Sequence, residues 1–321
     1  MTLIPMENWP ERYKLIEIRK KSAADTEFWR NRDQYLNLTA EVAVDKAEHD
    51  ELPRWQRTTA FAAAVGLTVD RAVITGRAAA RLWGIAVLSR NPTVELMYLD
   101  GKQPAAKRYW PPGVFFHRGN LRREEVFEEH GLRVTLPTRT LRDVAARHGV
   151  LEGLVSIDSA RRWWPHAPKE FLIQELLGGG PFKGIDNVRQ ALEMSITNSG
   201  SALESNARYL ILTSGISGIR TMVMQAPIPR EGQADPYEVD FLINGWLVVE
   251  MDGNFKLDGT TFGKTDDVLR AERAREVYIQ NTGKRFVRAG WEHLVEQSDG
   301  TVPLVELIKT ALRTHPVPAG L

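Results

Sequence analysis

The sequence predicts an α+β protein in two parts, and three observations carry that prediction. Apolar residues recur at helical spacing through most of the first 195 positions. After residue 200 the pattern changes to one helix followed by three short apolar runs rich in β-branched residues, then a long helix and a fourth run. Between the two lies "ITNSGSA", small and polar, the strongest linker signal in the chain. A length of 321 residues favours two domains over one.

Residues 1–54 are rich in charge with apolar positions at roughly helical spacing, and are expected to form a charged helical extension. Residues 55–194 are expected to form an α+β domain. In it "WQRTTAFAAAVG" is a helix stopped by glycine, and "TGRAAARLWGI" is a second, capped by Thr75 and stopped at Gly84. "TVELMYL" and "VFFHRG" are short strands. Leu132–Leu136 is another, followed by a helix that Thr138 can cap. "LEGLVSIDSARRWW", "PKEFLIQELLGGG" and "PFKGIDNVRQALEMS" complete the helices.

Residues 200–321 are expected to form the second domain. The helix "ALESNARYLILTSG" precedes the strands "TMVMQAPI", "YEVDFLI" and "WLVVEMDG". A polar loop, the helix "TDDVLRAERAREVYIQNTG", the strand "KRFVRAG" and the helix "WEHLVEQ" follow. The order is αβββαβ with an additional helix over "TVPLVELIKTALRTH".

Composition excludes several functions. A net charge of +1 gives no global attraction for nucleic acid, so any basic surface must be local. The absence of cysteine removes disulfides, thiolate zinc sites and cysteine nucleophiles. The seven histidines show no pair at ligand spacing. No apolar run approaches a membrane span, and the first residues do not read as a secretory signal, so a cytoplasmic protein is expected. "LLGGGPFKG" lacks the glycine-lysine-hydroxyl ending of a phosphate loop and reads as a connection between helices.

The chemistry concentrates in "YEVDFLINGWLVVEMDGNFK". Asp240 and Glu250 stand near the ends of adjacent strands, where an unpartnered carboxylate is costly. Converging carboxylates repel unless a cation sits between them, and Mg²⁺ takes one or two carboxylates plus water and phosphate oxygens. Glu204 on the preceding helix can supply a third oxygen. Register decides whether the acids meet. A two-residue Asn244-Gly245 connection pairs Ile243 with Trp246 and sends Glu250 to the face opposite Asp240. A three-residue connection, Ile243 and Asn244 followed by left-handed Gly245, puts Asp240, Glu250 and Asp252 on one face. The plainer reading is that Asp240 caps a turn while Glu250 and Asp252 are solvated.

The pattern "LES…Q…VDF…VVEMDG…R…GKRFVRAGW" resembles the endonuclease-like domains related to very-short-patch repair nucleases, within the PD-(D/E)XK superfamily. The resemblance covers about residues 200–297. It implies a restriction-endonuclease-like core and a metal-dependent phosphodiesterase using Mg²⁺ or Mn²⁺. Asp240 and Glu250 would be metal ligands, Glu204 the helix acid, and Gln225 and Asp252 supporting residues. The superfamily lysine two residues after the second acid is absent, and Asp252 stands there. Lys256 either replaces that cation or is a loop lysine. Arg270, Arg273 and Arg275 on the long helix are candidates for DNA backbone contact, although the interleaved Glu272 and Glu276 also suit simple helix stability. "VITGRAAARLWGI" and "RVTLPTRTLRDVAARHG" resemble segments of AbiEi-type antitoxins and regulators, which implies nucleic-acid association and possible pairing with a protein through this domain. Two functions are therefore expected in competition: a Mg²⁺-dependent DNA endonuclease, or a non-catalytic DNA-binding regulator with a degenerate nuclease core.

Overall fold

The computed structural model describes residues 4–253 and 266–314. The chain divides after Ser195 into two compact units. The protein is α+β, with mixed sheets and, among the described residues, no barrel.

The first unit begins with α1 (Trp9–Arg12), β1 (Ile16–Glu17), α2 (Thr26–Arg30), β2 (Tyr35–Asn37), β3 (Val42–Asp45) and α3 (Lys46–Glu51). The three strands form an antiparallel sheet in the order β1-β3-β2. This corrects the expectation of a charged helical extension over 1–54. The central strand is the contiguous run Val42-Ala43-Val44, at most 2% exposed, and a run buried on both faces has no helical period to read. Trp9 stacks on Tyr13 and donates its indole N–H to the Leu82 carbonyl at 2.8 Å, so the segment packs into the unit.

Then come α4 (Arg54–Thr68), β4 (Ala72–Thr75), α5 (Gly76–Leu82), β5 (Val94–Tyr98), β6 (Val114–Phe116), β7 (Val126–Glu129) and β8 (Leu132–Thr135). The helices α6 (Pro137–His148), α7 (Val150–Arg161), α8 (Lys169–Leu177) and α9 (Ile185–Met194) close the unit. The five strands form a mixed sheet ordered β6-β5-β4-β8-β7. β4 and β7 escape the sequence because each is only four residues long and abuts a helix or a hairpin. Thr75 occupies the N-cap position of α5, but its hydroxyl bonds Asp143 at 2.6 Å and caps nothing. Thr138 is not the cap of α6. That helix starts one residue earlier, at Pro137, because proline's fixed φ and missing N–H suit the first helical position.

The second unit contains α10 (Ala202–Thr213), β9 (Met222–Ile228), β10 (Tyr237–Ile243), β11 (Leu247–Met251), α11 (Asp266–Asn281), β12 (Arg285–Ala289) and α12 (Pro303–Thr314). This is the expected αβββαβ order with the extra helix. "WEHLVEQ" forms only a 3₁₀ turn, Trp291–Leu294, before Val295 turns extended. The sheet order is β12-β11-β10-β9, with β12 parallel to β11 and the other pairs antiparallel. Side chains alternate across β11. Leu247 and Val249 pack with Leu203 and Ile211 of α10 and Leu304 and Ile308 of α12. Val248 packs with Ile279 of α11. No helix among the described residues is long and apolar enough to cross a membrane.

Candidate functional site

The hairpin between β10 and β11 sets the site. Ile243 pairs with Leu247, so three residues, Asn244 to Trp246, make the connection. Both Asn244 (φ 52°) and Gly245 (φ 74°) are left-handed, and Trp246 donates its N–H to the Ile243 carbonyl at 3.2 Å. The connection is thus a primed turn followed by a bulged Trp246, where the sequence reading had residues 243–245 as the loop with Gly245 alone left-handed; Ile243 is instead paired, and the acids still share a face. Asn244 tolerates that backbone because its side chain is used. Its Oδ1 accepts from the Arg220 and Thr221 N–H groups at 2.7 and 3.1 Å, and its Nδ2 donates to the Gly218 carbonyl at 2.7 Å.

The register follows: Phe241 faces Val249, so the next position sets Asp240 against Glu250, on one face. On the other side of β10, Phe241 pairs Met224 and Val239 pairs Ala226, which sets Asp240 against Gln225. In the parallel ladder Glu250 lies against Arg288. Gln225, Asp240, Glu250 and Arg288 therefore form one row across the four strands.

Gln225 has φ 45°, and alternation breaks there. Met224 packs with the core under α10, whereas Ala226, two residues on, packs with the core under α11. The break lets Gln225 reach α10, where its Nε2 donates to Glu204 Oε2 at 2.7 Å. Glu204 is also the third residue of a capping arrangement. Ser201 Oγ accepts from the Glu204 N–H at 3.1 Å and donates to Oε1 at 2.9 Å, while the Gly200 N–H donates to Oε2 at 2.8 Å. Glu204 is 7% exposed and fixed by these bonds.

Asp240 Oδ2 accepts from the Met251 N–H at 2.7 Å. Burial, and then the negative charges of Glu204 and Glu250, outweigh that bond and Arg275, and the Asp240 carboxyl is pushed up to about 6. Glu250 is held by Arg275 of α11 at 2.8 Å and lies 3.9 Å from Arg288 Nε. Arg288 also pairs with Glu276 at 2.8 Å. Asp252 is exposed just beyond β11, its N–H donating to the Ala289 carbonyl at 2.9 Å. Arg270 and Arg273 are exposed on α11. Lys256 lies outside the described residues.

The structure thus brings Glu204, Gln225, Asp240 and Glu250 together. Sequence reasoning offered Arg275, with Arg270 and Arg273, only for DNA backbone contact and gave Arg288 no site role; the structure places both on Glu250. A signal for Arg275 was available: Arg275, Tyr278 and Ile279 are spaced i, i+3, i+4, so they share the buried face of α11.

An all-carboxylate donor set, Asp240 and Glu250 on paired strands and Glu204 on α10, fits a hard divalent cation such as Mg²⁺ or Mn²⁺. The raised proton affinity of Asp240 has the same origin, since a bound cation would offset the charge that burial and two acids disfavour. Among the described residues, no three acidic or histidine side chains already form a closed cation cage. No family model, curated protein or solved structure matches the chain.

Proposed function

We propose that the second unit is a Mg²⁺- or Mn²⁺-dependent DNA endonuclease site. The observation that carries this reading is the cross-strand pair Asp240–Glu250, produced by the three-residue connection, with Asp240 half-buried and its charge disfavoured. The resemblance of residues 200–297 to PD-(D/E)XK domains supports it through the same positions. Asp240 and Glu250 would hold the metal. Glu204, fixed by Gln225 and Ser201, would supply or orient a third oxygen. The metal, when bound, would activate water and stabilise charge on the phosphate. Arg275 and Arg288 neutralise Glu250 and supply the positive charge that the missing lysine would otherwise give; Lys256 is a further candidate. Arg270 and Arg273 would contact the DNA backbone. A soluble cytoplasmic setting in defence, repair or a toxin–antitoxin pair suits such an activity.

The second reading is a DNA-binding regulator or antitoxin with a degenerate core, a protein partner being held by the first unit. It is favoured by the ion pair that already engages Glu250 and by the cap that already engages Glu204. Cleavage of supercoiled plasmid with Mg²⁺ or Mn²⁺ separates the two. Metal-dependent nicking that Asp240→Ala reduces by at least about a hundredfold is expected. Salt-sensitive DNA retention without nicking by either protein would establish the regulator. Equal nicking by both proteins would remove Asp240 from the site.

A further inference from the structure

The first unit holds a cavity of about 650 Å³, within the range of small-molecule sites. Its wall is formed by β5, the connection from β6 to β7, one face of α6, and residues 179–183 between α8 and α9. Six cations line it, Arg118, Arg122, Arg139, Arg142, Arg147 and Lys183, against two carboxylates, Glu125 and Asp143. Arg139, Arg142, Asp143 and Arg147 recur at helical spacing, so α6 presents them together.

The two carboxylates are already shared. Glu125 takes Arg139 at 2.7 Å and Arg142 at 3.1 Å. Asp143 takes Arg139 at 3.0 Å and Arg147 at 3.3 Å. Arg139 and Arg147 also each direct an Nη2 at the Met97 sulfur, 3.8 and 2.8 Å away, and a thioether is a weak acceptor. Burial disfavours the charge on Arg142 and on Arg147. A network serving only to pin α6 to the sheet would need Arg139 and its two acids. It would not need Arg118 and Lys183, which are exposed at the wall, nor the empty volume between them.

The remaining wall suits a phosphorylated ligand. Gly179 (φ 90°) and Gly180 (φ 94°) have open space where a Cβ would stand, so backbone can approach a ligand there. Phe182 offers an aromatic face, with the Arg142 guanidinium 5.2 Å from its centroid. Guanidinium forks match phosphate oxygens in pairs.

We propose that this cavity binds a small molecule carrying two or more phosphate groups, of the nucleoside polyphosphate class. The proposal is independent of the carboxylate cluster in the second unit. Isothermal titration calorimetry of the full chain, without divalent metal, with pyrophosphate, ATP and GTP as probes, tests it. Saturable binding is expected. Arg118→Gln combined with Lys183→Gln, both exposed, is expected to weaken it at least about tenfold without lowering the melting temperature. Asp240→Ala is expected to bind like wild type, which separates this site from the candidate metal centre. No binding of any probe at millimolar concentration overturns the proposal. So does equal affinity in wild type and the double variant, or binding confined to a 5′-phosphorylated oligonucleotide, which would make the cavity a nucleic-acid contact.

Discussion

Asp240 is charged at neutral pH against its surroundings. Its carboxyl is pushed up to about 6 by burial and by Glu204 and Glu250, whereas an unfolded aspartate titrates near 3.9. Between those values the folded chain retains a proton that the unfolded chain has released. Its stability contribution is therefore present below about pH 4 and is lost as pH rises through about 6. Asp240→Asn keeps an oxygen for the Met251 N–H and removes the charge. It is expected to stabilise the fold at pH 7.5 by roughly 1–2 kcal/mol after allowance for solvent screening, and by much less at pH 4.5. Urea denaturation at the two pH values measures this; a variant less stable than wild type at pH 7.5 would show that the aspartate charge is well compensated.

At the scale of elements, the β10–β11 hairpin decides which residues meet. A one-residue change in its connection would put Glu250 on the face away from Asp240. Asn244 secures the connection in two ways, by its left-handed backbone and by three side-chain hydrogen bonds. Asn244→Gly keeps the first and loses the second, and is expected to cost about 1–3 kcal/mol. Asn244→Ala loses both and is expected to cost about 1 kcal/mol more. Thermal unfolding of the pair separates the contributions; equal losses would mean the backbone conformation carries no cost. The hairpin also shows how far sequence reading reaches. Asn-Gly between two apolar runs announces a turn, and the requirement for a three-residue connection was legible. Whether Trp246 pairs or bulges was not, because that depends on Asn244 bonding the backbone of residues 218–221, which only the folded sheet brings alongside.

For the whole molecule, each unit has its own buried cluster: Val73, Met97 and Leu121 in the first, and the layers around Phe241 and Val248 in the second. Differential scanning calorimetry is expected to resolve two transitions, with Asp240→Asn moving only one of them at pH 7.5. A single transition shifted as a whole would show that the units unfold together.

By itself the sequence determined the α+β class, the division near residue 195, the αβββαβ order and the presence of Glu204 on the helix and of Asp240 and Glu250 on adjacent strands, although Asp240 stands at the middle of β10 and not at its end. These follow from side-chain period, turn residues and small polar linkers, all properties of short windows. Tertiary structure decided the rest. It set a three-stranded sheet among the short helices of residues 1–54, because the central strand is buried on both faces and has no readable period. It broke the alternation at Gln225, so that a glutamine of the sheet holds an acid of α10. It chose Arg275 and Arg288 as the partners of Glu250 and gathered the arginines of α6 with the 179–183 segment around one cavity. Those choices rest on contacts between residues far apart in the chain, and no local pattern encodes which distant cation, carboxylate or carbonyl will lie within hydrogen-bonding reach.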